Sequence, residues 1–157
     1  MIIKVILVLL SGVLGITIGI MLKNNQEKKV LYFSDLYAFC DYFKHDLSFK
    51  QTKLKLLIQS FDYKSEDFKN DIFNFSETFQ LNNNLSVFLS KNEKEEVVNF
   101  FNSLGKVDIQ TQLSLIEENK YNFEKKRNEY KEKFEKESKL YVQLGFLFGL
   151  SVGVLLL

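Results

Sequence analysis

DIQTQLSLIEENKYNFEKKRNEYKEKFEKESKLYVQLGFLFGLSVGVLLL, running from Asp108 to Leu157, is the stretch that decides the fold. No Pro interrupts it, and its first Gly is Gly145. Ile109, Leu113, Ile116, Phe123, Tyr130, Phe134 and Tyr141 recur in steps built from threes and fours, which places them on one helical face. Glu117, Glu118, Lys125, Lys126, Arg127, Glu132 and Lys136 occupy the other faces. From Leu140 onward the chain is almost wholly apolar, with Gln143 and Ser151 as the clearly polar side chains. At roughly 1.5 Å per residue, this segment is about long enough to cross a hydrocarbon core of about 30 Å. The spacing therefore predicts a single helix whose first part is a water-facing stalk and whose last part is an anchor in lipid.

Working outward, the opposite end is apolar too. Residues 1–22 are interrupted only by Lys4, Ser11 and Thr17. A cleaved signal peptide would carry an apolar run of about 7–15 residues ending at a small-x-small site. Here the run continues from Val5 to Leu22 without such a site, so an uncleaved anchor is expected. Of 7 glycines in the chain, Gly12, Gly15, Gly19, Gly145, Gly149 and Gly153 lie in the two apolar ends. Gly15 and Gly19, and likewise Gly145, Gly149 and Gly153, are four residues apart, which aligns them on one face. In lipid such a face lets another backbone approach and substitutes for the missing hydrophobic drive. The expectation is a hairpin packed through these glycines, or self-association through either set.

The 157 residues leave room for one domain between the anchors. The expected plan is a transmembrane helix over 1–22, a soluble helical bundle over 23–139, and a transmembrane helix over 140–157. Lys23, Lys28 and Lys29 follow the first span, and Arg127, Lys131, Lys133, Lys136 and Lys139 precede the second, whereas Lys4 is the one charged side chain on the outer flanks. Positive charge favours the cytoplasmic side, so the domain is expected there, with membrane lipid around the anchors. The fold class expected is all-α: a small antiparallel bundle between two transmembrane helices, the last of its helices continuous with the C-terminal anchor.

Within the bundle, Leu31, Leu36, Phe39, Cys40 and Phe43 fall at helical steps, with Tyr32, Tyr37 and Tyr42 broadening the face. Asp46 to Ser48 is polar enough to turn. Leu54, Leu57, Ile58 and Phe61 belong to a short second helix. Ser65 with Glu66 and Asp67 has the chemistry of a helix start, and the helix it opens is expected to bury Phe68, Ile72, Phe75 and Phe79. Ser90 and Glu93 have capping-box spacing ahead of Val97, Val98, Phe100, Phe101 and Leu104. Gly105 is suited to stop that helix, and Asp108 to cap the last one.

Composition excludes several classes of chemistry. The net charge of +1 does not suit a nucleic-acid surface, and a Phe stripe at helical spacing is core rather than a base-stacking platform. One Cys and one His cannot build a structural zinc site. Gly105-Lys106 lacks the other residues of a phosphate loop. His45 reads as a surface residue and Cys40 as a small core hydrophobe. No catalytic residue, cofactor site or metal site is expected, and the heavy use of Asn, Lys and Phe resembles that of an AT-rich bacterial genome.

The C-terminal third carries a more specific signal. Leu104-Gly105-Lys106-Val107-Asp108 followed by Gln112, a long charged helix, Tyr141, and Leu144-Gly145-Phe146-Leu147-Phe148-Gly149-Leu150 resembles the stage III sporulation protein AB family. That family shows Leu-Gly-x-x-Asp-x-x-x-Gln before a Glu/Lys-rich helix and a terminal Leu-Gly-x-x-x-Gly-Leu anchor. The chain departs from it in lacking a Pro between Phe43 and Lys50. The resemblance implies a role in endospore formation, at the membrane around the forespore on the mother-cell side. It further implies a helical domain similar to those of the inner-membrane platform proteins of type II secretion and type IV pilus machines. The partners implied are a secretion-type ATPase, stage III sporulation protein AA, and other stage III sporulation membrane proteins. In this reading Gly105 ends one helix, Asp108 caps the next, Gln112 reaches the preceding loop, and Gly145 and Gly149 pack against another span. The alternative is a membrane-tethered helical scaffold unrelated to sporulation.

Overall fold

The computed structural model describes residues 2–82 and 84–155, and among them the side chains outside residues 2–5 and 7. The described chain is all-helical: α1 (Ile2–Phe49), α2 (Leu54–Ser60), α3 (Glu66–Thr78), α4 (Lys91–Ser103) and α5 (Ile109–Leu155). No strand occurs among the described residues. The chain divides into two compact units. One is built from the chain up to Glu27 and from Glu129 onward, and the other is Lys28–Asn128. The polar residues 23–27 and 129–139 thus group with the apolar ends. Both α1 and α5 contribute to both units, because neither meets a Pro over its 48 and 47 residues.

Unit Lys28–Asn128 is held by an aromatic core. The face that α1 buries is Tyr32, Phe33, Leu36, Phe39, Cys40 and Phe43. Tyr32 and Phe33 therefore take the inward position, whereas Leu31 is 38% exposed. Phe39 lies among the rings of Phe43, Phe61, Phe68 and Phe101, with centroids 5.5–6.3 Å apart. Phe101 extends the cluster to Phe75 and Phe100, and Phe100 to Phe123 of α5. Edge-on, tilted and stacked arrangements of this kind add to the area term when rings are buried. On α5 the inward residues are Gln112, Ile116 and Phe123. Ile109, the first residue of the helix, is 47% exposed, one step off that face.

Helix ends follow local chemistry. Ser65 accepts from the backbone N–H of Phe68, and Glu66 and Asp67 fill the first turn of α3. Ser90 and Glu93 form a reciprocal capping box, with Ser90 N donating to Glu93 Oε2 at 2.6 Å. Phe79 sits past the end of α3 in the left-handed region (φ 51°), and its side chain is half exposed instead of buried. The left-handed turn breaks the helical repeat, so the step from Phe75 no longer leads inward.

The first long helix also runs further than the polar stretch Asp46–Ser48 suggests. It stops after Phe49, and Asp46 closes it from inside. The Asp46 carbonyl accepts from Lys50 N and Gln51 N, both at 2.8 Å. Its carboxylate accepts from Thr52 N (2.7 Å) and Thr52 Oγ1 (2.6 Å). A residue that can turn the chain thus does so by reaching ahead, and the missing Pro is replaced by this clasp. Gln51 adopts φ 54°, a region costly for a residue with a Cβ. Gln51→Gly is expected to raise stability by about 0.5–1 kcal/mol, read by denaturant unfolding of the full chain in detergent.

Candidate functional site: a glycine seam and a capped junction

The first candidate site lies in the unit formed by the two chain ends. There α1 and α5 run antiparallel with their glycines interleaved. A Cβ on Gly15 would collide with the Gly145 carbonyl and stand 3.0 Å from Gly149 Cα. One on Gly145 would collide with the Gly15 carbonyl and stand 3.3 Å from Gly19 Cα. The arrangement is reciprocal, so each glycine points a Cα–H at the other's carbonyl oxygen, a weak but recurrent helix-packing contact. A Cβ on Gly19 would stand 2.5 Å from the Tyr141 carbonyl oxygen, one on Gly149 would collide with the Ser11 carbonyl, and one on Gly153 would collide with Ser11 Oγ and stand 3.0 Å from Val8 Cα. Gly12 differs: a Cβ there would make an ordinary contact, 3.6 Å from Leu150 Cδ2.

The hydroxyl side chains along these segments are satisfied within their own helix, as apolar surroundings require. Ser11, Thr17 and Ser151 donate to the carbonyls of Val8, Leu14 and Leu147, each at 2.8 Å. The large apolar residues around the seam point away from it. Leu9, Leu14, Met21, Leu144 and Phe148 are 60% or more exposed, which is the pattern of a surface facing hydrocarbon rather than that of a core helix in water.

The second candidate site is the junction between α4 and α5, inside unit Lys28–Asn128. Gly105 adopts φ +72°, which ends α4 cheaply only with glycine. Leu104 is buried beside it at 6% exposure. Asp108 caps α5, accepting from Thr111 N at 3.1 Å and from Thr111 Oγ1 at 2.6 Å. Gln112 is 2% exposed, and its Oε1 accepts from Gly105 N at 2.8 Å. The four residues Leu104, Gly105, Asp108 and Gln112 therefore form one turn. Gln112 fastens the end of one helix to the start of the next. The hydroxyl and amide of Thr111 hold the Asp108 carboxyl below its ordinary range.

Several polar ties in this unit carry no motif in the sequence. Asp35 Oδ2 accepts from Lys64 N and Ser65 N at 2.8 and 2.7 Å, and burial raises its carboxyl above the usual range despite those donors. Lys29 meets the buried Glu93 at 3.0 Å. Asp71 Oδ2 accepts from the Tyr32 hydroxyl, Ser86 N and Ser86 Oγ. Burial, with Asp71 second, pushes the Tyr32 hydroxyl well up. These partners are 15 to 64 residues apart, so periodicity could not pair them.

As for reactive groups, Cys40 is fully buried and burial pushes its thiol up, which opposes thiolate formation. His45 is exposed on α1 with its ring 4.9 Å from that of Phe49. No three His, Cys, Asp or Glu converge as metal ligands among the described residues.

Taken together, this is an all-helical protein with two helices long and apolar enough to cross a membrane, joined by a glycine seam. The chain belongs to the stage III sporulation protein AB family, whose sequence signature matches residues 2–157, and it is accordingly a sporulation-related protein. No curated protein and no solved structure matches the chain.

The seam distances separate tight from slack positions. Gly15→Ala and Gly149→Leu are expected to force the two segments apart, at about 1–3 kcal/mol for overpacking, whereas Gly12→Ala is tolerated. Cross-linking between cysteines placed at Val8 and Val154 should fall for the first two variants and persist for the third. Junction chemistry predicts a pH signature. The Asp108 carboxyl is depressed on folding, so its contribution is present above its unfolded value near 3.9 and lost as pH falls through the lower folded value. Asp108→Ala should therefore lower the melting temperature at pH 7 and narrow its gap to wild type below about pH 4. Asp108→Asn, which retains a capping oxygen, should stay near wild type at pH 7.

Proposed function

We propose that this protein is a non-enzymatic membrane platform of the mother cell–forespore complex. Its two apolar helices cross the membrane as a glycine-packed hairpin, and the segment over 23–139 stands on the cytoplasmic, mother-cell side. There it docks a secretion-type ATPase and neighbouring stage III sporulation membrane proteins.

The observation that carries this reading is the pairing of a tight glycine seam with a bundle whose buried carboxylates are engaged in holding the structure. Asp35, Asp46, Asp71, Glu93 and Gln112, the buried polar side chains best placed to do chemistry, bind backbone amides, hydroxyls or a lysine in the bundle itself. Charged side chains that remain outward form surface pairs such as Lys44–Glu117, Lys55–Glu77 and Lys126–Glu96, which suits recognition more than catalysis. Membership of the sporulation family supplies the setting. An assembly role needs an anchored, shape-stable surface, and both parts are of that kind.

Affinity purification of the tagged full chain from sporulating cells is expected to recover the ATPase and at least one other stage III membrane protein. Recovery of neither, in cells where those components recover each other, would overturn the platform reading. A substrate-dependent activity lost on changing Cys40 or His45 would overturn its non-enzymatic part.

A further inference from the structure

Beyond the glycine seam and the junction, one end of unit Lys28–Asn128 carries groups that the rest of the unit leaves uncovered. The ion pairs Lys44–Glu117 and Lys120–Asp41 set α1 and α5 side by side and antiparallel. Phe49 lies five residues past Lys44, and Ile109 eight before Glu117. At about 1.5 Å per residue, the exit of α1 and the entry of α5 are therefore within about 5 Å of one level. The start of α2 belongs to the same end, because α2 runs back along α1 until Ser60 Oγ meets the Tyr42 hydroxyl at 2.9 Å. Lys28 and Asn128, where the chain enters and leaves the unit, lie at the opposite end.

Two kinds of side chain gather here. Phe49 is 76% exposed, and Leu56, Val107 and Ile109 are exposed with it. Single apolar residues on a surface are ordinary, but a group of them at one end marks a contact surface. A groove of about 390 Å³, lined by Asp41, Lys44, His45, Ser48 and Phe49, leads up to them along α1. The second kind is cationic. Lys50, Lys53 and Lys106 are exposed and hold no ion pair among the described residues. Lysines elsewhere in the unit are commonly matched, as Lys28 is to Asp67 and Lys126 to Glu96. The acids nearest to the three lysines are engaged otherwise: Asp46 by Thr52, Asp108 by Thr111 and Glu77 by Lys55. This end thus joins an apolar patch to an uncompensated positive rim.

We infer that it docks an acidic amphipathic helix of a partner protein. The apolar stripe of such a helix lies on Phe49, Leu56, Val107 and Ile109, and its flanking carboxylates meet Lys50, Lys53 and Lys106. Charge of opposite sign steers the encounter and fixes the orientation, while the apolar contacts hold the complex. A nucleic acid would supply the negative charge without an aliphatic face for Leu56, Val107 and Ile109. The assignment rests on the platform reading, since it gives such a platform one of its docking faces. A synthetic peptide tests this face alone, so its failure is separate from a failure to recover the stage III proteins.

The test titrates the full chain, in nanodiscs of uncharged phosphatidylcholine, into a labelled acetylated and amidated peptide of two Glu-Leu-Ala-Glu-Leu-Leu-Glu repeats. Fluorescence anisotropy is read against empty nanodiscs. Binding is expected, and about tenfold weaker for the peptide with Gln in place of every Glu. Phe49→Ser should weaken it by a similar factor of about ten. Lys50→Glu combined with Lys106→Glu should cost about tenfold or more, and the milder Lys50→Gln with Lys106→Gln, kept in case charge reversal disturbs folding, about threefold. Lys125→Glu removes another exposed, unpaired lysine sixteen residues along α5 from Ile109, and should leave affinity within about twofold. Equal binding of the Gln peptide, unchanged binding in Phe49→Ser, or an equal loss in Lys125→Glu would each overturn the assignment. So would absence of binding to the acidic peptide, including the case in which phosphatidylglycerol vesicles are captured through Lys50 and Lys106 instead.

Discussion

Two apolar helices gain little by meeting in lipid, because the tails around them are as apolar as their own side chains. What can hold them is the approach of one backbone to another. At Gly15 and Gly145 that approach is close enough for each residue to point a Cα–H at the other's carbonyl, and Gly19, Gly149 and Gly153 extend it along the seam. The outward positions are then free to be large and greasy, and they are. This division of labour explains why the smallest and the bulkiest residues of the chain alternate within the same segments. It also bears on self-association: the glycine rows are already filled by one another within the chain, so a second copy would have to use a different face.

Unit Lys28–Asn128 solves a different problem with different means. Its core is dominated by phenylalanine, whose rings meet edge-on or tilted around Phe39 and Phe101. Rings of one size leave few ways to define how helices follow each other, and the definition comes from polar residues at the ends. Asp46 clasps the exit of α1, Ser65 and Asp35 set the entry to α3, Ser90 and Glu93 the entry to α4, and Gln112 the entry to α5. The same acids that a search for catalysis would single out are those that fix the chain path. That use of its carboxylates is the ground on which we propose a platform rather than an enzyme.

Much of this was legible from residues alone, for reasons that are local. Caps at Ser65, Ser90 and Asp108 act on amides two or three residues away, so their spacing announces them. Glycine repeats announce a flat face because four residues return to it. The reading went astray where a distant partner decided. Asp46–Ser48 has turn composition, but the helix persists until Thr52 can reach back to Asp46. Phe79 shares the spacing of Phe75 and leaves the face because its own backbone turns left-handed. Leu31 gave up the inward position to Tyr32, whose hydroxyl is secured by an aspartate 39 residues later.

The seam also has an evolutionary consequence. Glycine is already the smallest residue, so any missense change in its codon adds atoms where the opposing backbone leaves no space. Gly15, Gly19, Gly145, Gly149 and Gly153 have no conservative neighbour to drift to. Gly12, which faces only the side-chain ends of Leu150 and Phe146, does. Lineages of this protein should therefore wander freely at the twelfth position while the other five stay frozen, however fast the surrounding leucines, valines and isoleucines exchange.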